Sequence, residues 1–253
     1  MVENMAHATT GSGDSGTTAG HEVLAAVLRV ANGRLQVLLW QRAREPHLHR
    51  WSLPGGALAP DEDVETSIRR QLAEKVDVKV LSHVEQLAVF SAPDRRPERR
   101  VVATAFLGLV PSDADPATPE DTRWHPVDDL PETAFDHELI ARAGRDRLRA
   151  KLSYTNIGFA LVPEEFTITA LRRAYAAALG YPVSATNLQR VLTRRGVLVA
   201  TGETAAPGPA GGRPAAVFRF SEHGLRVTDP FAALRPPGEP AGEAHPAATR
   251  PGS

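Results

Sequence analysis

Two aliphatic runs open the patterned part of the chain, from Glu22 to Val30 and from Arg34 to Arg42. The Asn32-Gly33 dipeptide between them favours a tight turn, so the two runs predict a β-hairpin. Further strands are predicted from Val78 to Phe90 and from Arg100 to Val110, where β-branched and aliphatic residues recur. A polar loop separates these two strands.

A helix is predicted between the hairpin and the later strands. Asp61 or Asp63 can cap it, and Val64, Ile68 and Leu72 recur on one face at helical spacing. A second helix, from about residue 136 to 152, follows the last strand. Strands that flank a central helix in this order predict an α/β (α+β) sandwich over residues 21–152.

The pattern then changes to two short amphipathic helices, which follow an irregular connection from Ser153 to Pro163. Thr167 is a suitable N-cap for the first helix, which ends at Gly180, and Ser184 caps the second, which ends at Gly196. Two short strands follow, at residues 197–201 and 215–220, joined by a loop rich in Pro and Gly. Helix, turn, helix and hairpin together predict a winged helix-turn-helix domain over residues 153–230.

The second of these helices has a polar outer face, rich in amides and arginines. Such side chains pair bidentately with adenine and guanine edges in the major groove. The alternative is a helical cap whose arginines are only solvated. The candidate DNA-binding residues are Thr186, Asn187, Gln189, Arg190, Arg194 and Arg195, with Arg213 on the loop.

Composition adds three limits to this picture. The formal net charge is only −1, but from Ile140 to Val227 Arg and Lys outnumber Asp and Glu by more than two to one, which favours a polyanionic partner. The chain has no cysteine, which excludes disulfides and Cys-ligated zinc. The two tails, residues 1–20 and 231–253, are rich in small residues and Pro and are predicted to be disordered, with no signal peptide or membrane helix.

The helix between the strands carries a spaced motif that resembles the Nudix box. In that motif Gly is followed after five residues by Glu, and after seven more by Arg-Glu-aliphatic-any-Glu-Glu-any-Gly-aliphatic. The matching residues are Gly56, Glu62, Arg70, Leu72, Glu74 and Val78, and the residues that depart are Gln71, Lys75 and Asp77.

These departures change the expected chemistry. Positions 71, 74 and 75 are spaced i, i+3 and i+4, so they share one face of a helix. In Nudix hydrolases, as the resemblance implies, glutamates on this face hold metal ions that bridge a diphosphate and activate water. Gln71 is uncharged and Lys75 offsets Glu74, so the box is predicted to be degenerate, with no catalytic residue and no required cofactor. The same charges argue against Mg²⁺ binding.

A Nudix-like domain followed by this winged helix resembles the NrtR family, the Nudix-related transcriptional regulators of NAD metabolism. Other matching segments are Glu85-Gln86-Leu87, Asp94-Arg95 with Pro97, Ala134-Phe135-Asp136-His137 and Arg213-Pro214-Ala215. The resemblance implies a Nudix-like α/β/α sandwich followed by a winged helix. It also implies a cytoplasmic homodimer that represses genes of NAD biosynthesis or salvage and releases operator DNA when ADP-ribose occupies the Nudix pocket.

The resemblance also assigns roles to single residues. Arg42 and Arg100 either bind a diphosphate or each form only a surface ion pair, and Trp51 either stacks on adenine or anchors its strand. A further hypothesis, which follows from the charge of Lys75 and not from the resemblance, is that Lys75 neutralises the diphosphate in place of a metal. The predicted ligand-binding residues are Arg42, Trp51, Gly56, Glu74, Lys75 and Arg100.

Three further residues have predicted structural roles, and three others belong to a rival hypothesis. Glu62 and Arg70 are expected to form a structural ion pair, and His137 to be a structural hydrogen-bond partner at a helix start. The alternative function is an active Nudix hydrolase, an ADP-ribose pyrophosphatase with a C-terminal accessory domain. Its metal ligands would have to come from other carboxylates, the nearest in sequence being Glu65, Asp77 and Glu85.

Overall fold

The computed structural model describes residues 19–75, 81–206 and 214–229. Over these residues, the first domain is built on a seven-stranded sheet. Its strands are β1 (Gly20–Ala31), β2 (Arg34–Gln41), β3 (Trp51–Ser52), β4 (Gly55–Ala57), β5 (His83–Phe90), β6 (Val101–Val110) and β7 (Thr122–Pro126).

The sheet is mixed, with β1 at its centre. Its order is β3-β2-β1-β6-β5, with β4 paired to β1 and β7 paired to β2. β1 runs parallel to β6 and antiparallel to β2 and β4. The predicted hairpin is confirmed, because Asn32 (φ 52°) and Gly33 (φ 72°) both adopt the positive φ that a tight hairpin turn requires.

Two helices, α1 (Val64–Lys75) and α2 (His137–Tyr154), cover opposite faces of this sheet. Ile68 of α1 belongs to one buried cluster with Val23, whereas Ile140 of α2 belongs to another with Leu24, the next residue of β1. Since side chains alternate across a strand, this pattern confirms the α/β/α sandwich. Asp63 rather than Asp61 caps α1, because its Oδ1 accepts a 2.7 Å hydrogen bond from the Thr66 N–H.

Two boundaries differ from the sequence expectation. β5 begins at His83 instead of Val78, and residues 76–80 lie outside the described part of the chain. The segment from Ser153 to Pro163 is not irregular: α2 continues to Tyr154, and a 3-10 helix spans Ile157–Leu161. Every residue of that short helix is buried, and all but Gly158 belong to the apolar cluster that joins the two domains, so tertiary packing orders a segment without a helical period.

The second domain contains β8 (Glu165–Thr167), α3 (Ile168–Leu179), α4 (Ala185–Arg194), β9 (Leu198–Ala205) and β10 (Ala215–Phe220). The predicted caps are confirmed, since the Thr167 hydroxyl accepts from the Ala170 N–H and the Ser184 hydroxyl from the Asn187 N–H. Gly180 ends α3 with φ 82°. β8 completes a three-stranded sheet in the order β8-β10-β9. The winged helix-turn-helix is therefore confirmed.

Strand β4, which precedes α1, depends on Gly55 at its first position. A Cβ at this position would lie 2.0 Å from the Val23 carbonyl oxygen, and the φ of 149° suits glycine alone. We expect Gly55→Ala to lower the free energy of unfolding by at least about 3 kcal/mol, as for other severe backbone clashes. Gly33→Ala is the control: nothing lies within 4 Å of its Cβ, so only its φ penalty of about 1–2 kcal/mol remains. Equal urea midpoints for the two variants would contradict this reading.

Candidate ligand pocket and DNA-binding surface

The Nudix helix is anchored by the expected ion pair. Arg70 donates to both oxygens of Glu62, at 2.7 and 2.9 Å, and Glu62 also accepts a 2.9 Å hydrogen bond from the Ala59 N–H. The hydrogen bonds from Arg70 and then Ala59 lower the pKa of Glu62 to about 2. The pair fixes the loop before α1 to the helix, which confirms a structural role.

Two positions of the Nudix box, the altered Gln71 and the matching Glu74, face different surroundings. Gln71 is 4% exposed, and its Nε2 donates to the Ala57 carbonyl at 3.4 Å while its Oε1 is buried without a partner among the described residues. Glu74 is exposed and binds Arg70 at 3.1 Å. Lys75 ends α1. A neutral buried amide and a surface ion pair do not form the shared face of carboxylates that a metal cluster requires.

Two of the three carboxylates named for the hydrolase alternative form ion pairs elsewhere. Glu65 forms a surface ion pair with Arg69, and Glu85 binds Lys151 of α2 at 2.9 Å, on the other side of the sheet from α1. Asp77 lies outside the described residues. Within residues 19–75, 81–206 and 214–229, no group of three His, Asp or Glu side chains is arranged to hold a metal ion.

A buried ionic network lies instead at the head of α2. Arg95 has a fully buried side chain that donates to Glu22 at 2.6 Å and to both oxygens of Asp136, at 2.8 and 2.9 Å. Burial works to lower the pKa of Arg95, but the hydrogen bonds with Asp136 and Glu22 raise it overall. This network, which we call the Arg95 latch, joins β1, the loop after β5 and the start of α2.

Beside the Arg95 latch, cationic side chains surround Phe135. The Arg96 guanidinium lies 3.6 Å from the ring centroid, the Arg42 guanidinium 5.1 Å, and the His47 ring packs against its edge at 4.6 Å. Partial burial, and then the charge of Arg96, lower the pKa of Arg42. Arg42 therefore lies beside Arg96, whose guanidinium is paired with Glu22 at 2.5 Å. Sequence analysis missed Arg96 and Phe135 as members of this cluster.

His137 has the structural role that the sequence predicted. Its Nδ1 accepts a 2.9 Å hydrogen bond from the Leu53 N–H, so Nδ1 carries no proton and Nε2 carries it. Burial, and then the charges of Arg96 and Arg95, hold its pKa well below the ordinary value. The bond ties the head of α2 to the chain just before Gly55 and Gly56.

The predicted ligand-binding residues do not form one cluster. Arg100 donates to the carbonyls of Ser91 and Ala92 at 2.8 and 3.0 Å, which supports the loop after β5. Trp51 packs edge-on against His125, with ring centroids 4.4 Å apart, and so anchors β3. Gly56 pairs with β1 inside the sheet. Among the predicted ligand-binding residues whose side chains the structure describes, Arg42 alone lies beside Phe135.

The outer face of α4 is polar and exposed, as expected for a recognition helix. Leu188 and Leu192 are buried beneath it. Arg190 donates to the Asn187 side-chain oxygen at 2.7 Å, which orders two of the predicted DNA contacts relative to each other. The exposed residues of the predicted set are Thr186, Asn187, Gln189, Arg190 and Arg194.

Two members of the predicted DNA-binding set differ from these. Arg195 binds Asp229 at 2.8 Å and the Ser153 carbonyl at 2.9 Å, and its side chain is only 15% exposed. Its guanidinium therefore fastens the end of α4 to the end of α2, and we replace its predicted DNA contact with this structural role. Arg213 lies outside the described residues. None of the described helices is long and apolar enough to cross a membrane.

Comparison with known proteins agrees with this two-part architecture. A family model for the NUDIX domain matches residues 20–143, and one for the NrtR DNA-binding winged helix domain matches residues 158–220. A curated relative from Acinetobacter baylyi, "ADPR responsive transcriptional repressor NtrR", is 30% identical over 203 residues, covering 78% of this chain and 80% of the relative. The chain belongs to the NrtR family.

A solved structure extends this family assignment to the whole fold. The crystal structure of Shewanella oneidensis NrtR complexed with a 27mer DNA has a TM-score of 0.68 and 28% identity, over 79% of this chain and 93% of that one. The Nudix part alone is also similar to an enzyme, an ADP-ribose pyrophosphatase of Methanocaldococcus jannaschii. That protein is 32% identical over 113 residues, covering 42% of this chain and 64% of the enzyme.

Proposed function

We propose that this chain is a transcriptional repressor whose Nudix domain senses ADP-ribose and whose winged helix then releases operator DNA. The observation that carries the proposal is the shared two-domain match to a relative named as an ADPR responsive transcriptional repressor. Family membership also supports a homodimer that acts in the cytoplasm on genes of NAD biosynthesis or salvage.

The DNA contacts in this proposal come from α4 and the wing. Gln189 and Arg190 present an amide and a guanidinium, the groups that bind adenine and guanine edges bidentately. Thr186, Asn187 and Arg194 extend the same exposed face. Arg213, which lies between β9 and β10 in sequence, is proposed to contact phosphate or the minor groove.

The test is a mobility shift on DNA from upstream of NAD biosynthesis and salvage genes, with and without ADP-ribose. Specific binding that survives physiological salt and disappears on addition of ADP-ribose is the expected result. Absence of any specific complex would refute the repressor role. A complex that ADP-ribose leaves unchanged would refute the sensing role alone.

We further propose that the Nudix domain does not hydrolyse its ligand. Gln71 removes a carboxylate from the box and is buried as a neutral amide. Lys75 supplies a positive charge to the diphosphate where a hydrolase would supply metal. Calorimetric titration with ADP-ribose in a chelator tests this, and strict dependence of binding on Mg²⁺ would contradict it.

The hydrolase alternative rests on the similarity of the Nudix part to the Methanocaldococcus jannaschii enzyme. Hydrolysis of ADP-ribose would release AMP and ribose 5-phosphate in equal amounts. Incubation with ADP-ribose and Mg²⁺, followed by chromatography for AMP, distinguishes the two functions. Turnover above roughly 1 per second, an ordinary enzymatic rate, would favour the hydrolase.

Restoring the two missing glutamates should make the thermal stability of the protein depend on Mg²⁺. In a Gln71→Glu, Lys75→Glu double variant the buried position 71 gains a charge, which is costly until a cation neutralises it. We expect the variant to melt below wild type in chelator and to recover in Mg²⁺, while wild type melts alike in both. DNA binding without ligand should stay within about 2-fold, since α4 is untouched. Identical melting of the variant in chelator and Mg²⁺ would refute the expected gain of metal binding.

A further inference from the structure

A cavity of about 350 Å³ lies where the end of α2 meets α3 and α4, and we call it the α3–α4 cavity. Its lining is mainly aliphatic. The buried lining residues include Leu152, Leu188 and Leu192, and the half-buried ones include Leu179, Val183 and Val191. Aliphatic side chains that stay partly exposed around one cavity indicate a surface that an apolar group covers.

The last described residue of the chain, Asp229, is fixed at the rim of this cavity. Ser153 and Arg195 both line the cavity. The Arg195 guanidinium binds the Asp229 carboxylate at 2.8 Å. The N–H groups of Thr228 and Asp229 both donate to the Tyr154 carbonyl, at 2.7 and 3.1 Å. The chain therefore reaches residue 229 beside the half-buried aliphatic side chains.

The residues that follow Asp229 are the most apolar part of the C-terminal tail. They are Pro230, Phe231, Ala232, Ala233 and Leu234, whereas residues 235–253 contain no Val, Ile, Leu, Met, Phe, Trp or Tyr. Since consecutive Cα atoms lie about 3.8 Å apart, the Cα of Phe231 is within roughly 8 Å of the Cα of Asp229. Residues 230–234 lie outside the described part of the chain, but the position of Asp229 puts Phe231 within reach of the cavity.

We propose that residues 230–234, which we call the C-terminal clip, dock in the α3–α4 cavity with Phe231 as the anchor. An aromatic side chain removes roughly 150–250 Å² from water when it is buried, and Phe231 is the only aromatic residue after Asp229. The sequence analysis predicts a disordered tail from residue 231. The proposal moves the start of that tail to Arg235.

The covalent link favours this segment over other occupants of the cavity. A group attached by a short linker has an effective concentration of about millimolar order at its site. A second copy of the chain would have to compete with that concentration. The clip is therefore the occupant at the micromolar protein concentrations of a binding experiment.

A docked clip would contact the ends of three helices at once. The cavity is lined by α2 through Leu152, by α3 through Leu179 and by α4 through Asn187, whose side chain also accepts the hydrogen bond from Arg190. The clip thus supports the position of α4 relative to α2. This consequence for DNA binding rests on the repressor function proposed above, whereas the docking itself does not.

The test of docking uses the absence of cysteine from the chain. Val183→Cys puts one thiol in the cavity wall, and its rate of alkylation by iodoacetamide measures its exposure. Thr193→Cys is the reference thiol, because Thr193 is exposed on α4 outside the cavity lining. Both rates are measured in the full chain with three tails: unchanged, Phe231→Asp, and Ala247→Asp, the control that adds the same charge further along the tail.

The ratio of the two rates, position 183 over position 193, should rise at least about 10-fold with Phe231→Asp, because the ring no longer covers the cavity. With Ala247→Asp the ratio should stay within about 2-fold of the unchanged tail. An equal ratio for Phe231→Asp and the unchanged tail would overturn the proposal. A ratio that rises when the unchanged protein is diluted would also overturn it, since a second copy would then cover the cavity.

Operator binding by the same tail variants, without added cysteines, tests the consequence separately. Phe231→Asp should weaken operator binding at least about 3-fold, and Ala247→Asp should match wild type. Unchanged operator binding by Phe231→Asp would refute the link to α4 but not the docking. Failure of the wild-type protein to bind operator would refute the repressor function instead.

Discussion

A variant in which both Gln189 and Arg190 are alanine is expected to bind operator at least about 30-fold more weakly than wild type. Each bidentate side chain to base contact contributes about 1–3 kcal/mol of discrimination, and both residues lie exposed on the same face of α4. The loss should be specific: binding to unrelated DNA should fall much less, because phosphate contacts elsewhere remain. Fluorescence anisotropy with a labelled operator and a scrambled duplex measures both.

The control for charge is Arg34→Ala, which removes one positive charge from the exposed hairpin turn of the Nudix domain. It should bind operator within about 2-fold of wild type, because an exposed charge away from the contact surface is screened by salt. ADP-ribose affinity should be the same in all three proteins. If the double variant of α4 retains wild-type affinity for operator, then this helix does not recognise the operator sequence.

The largest expected effect on stability comes from Arg95→Met. Methionine keeps the apolar volume but leaves the Asp136 carboxylate without its buried partner, while Glu22 keeps only its contact with Arg96. Removing one member of a buried ion pair typically costs about 3–5 kcal/mol. Chemical denaturation should therefore show a fall of this size in the free energy of unfolding, because the fully buried Arg95 side chain makes three short bonds to carboxylates.

Arg145→Met is the matched control for this measurement. Arg145 also contacts two carboxylates, Asp128 and Asp146, but their side chains are 65% and 62% exposed. Exposed ion pairs contribute about 0–1 kcal/mol, so this variant should unfold close to wild type. Similar losses for both variants would mean that the Arg95 latch is no more important than a surface pair.

Local patterns predicted the elements of the winged helix well. Thr167, Ser184 and Gly180 each act within one helical turn, so their capping roles follow from neighbours in sequence. The Asn32-Gly33 turn could also be predicted from local sequence, because its positive φ angles depend on residue type alone. The Nudix motif likewise placed Glu62 and Arg70, which lie eight residues apart, in contact.

The site itself depends on contacts that no local pattern contains. Arg95 lies in a polar loop, yet it is buried because Glu22 and Asp136, 73 and 41 residues away, meet it at one end of the sheet. The sequence pattern of α4 places Arg195 with the DNA-binding residues, but Arg195 is paired with Asp229, which lies 34 residues further on. The 3-10 helix at Ile157–Leu161 is likewise ordered by packing between domains. Ion pairs between residues that are distant in sequence therefore determine which arginines remain available for ligands.

The central claim, that ADP-ribose releases operator and is not consumed, is tested most directly by one time course. Labelled operator is bound by the protein in Mg²⁺, a small excess of ADP-ribose is added, and fluorescence anisotropy is followed for hours. The account predicts a fall in anisotropy that then persists, because the effector stays intact. A fall followed by recovery would show that the Nudix domain destroys its ligand, and no fall at all would contradict sensing.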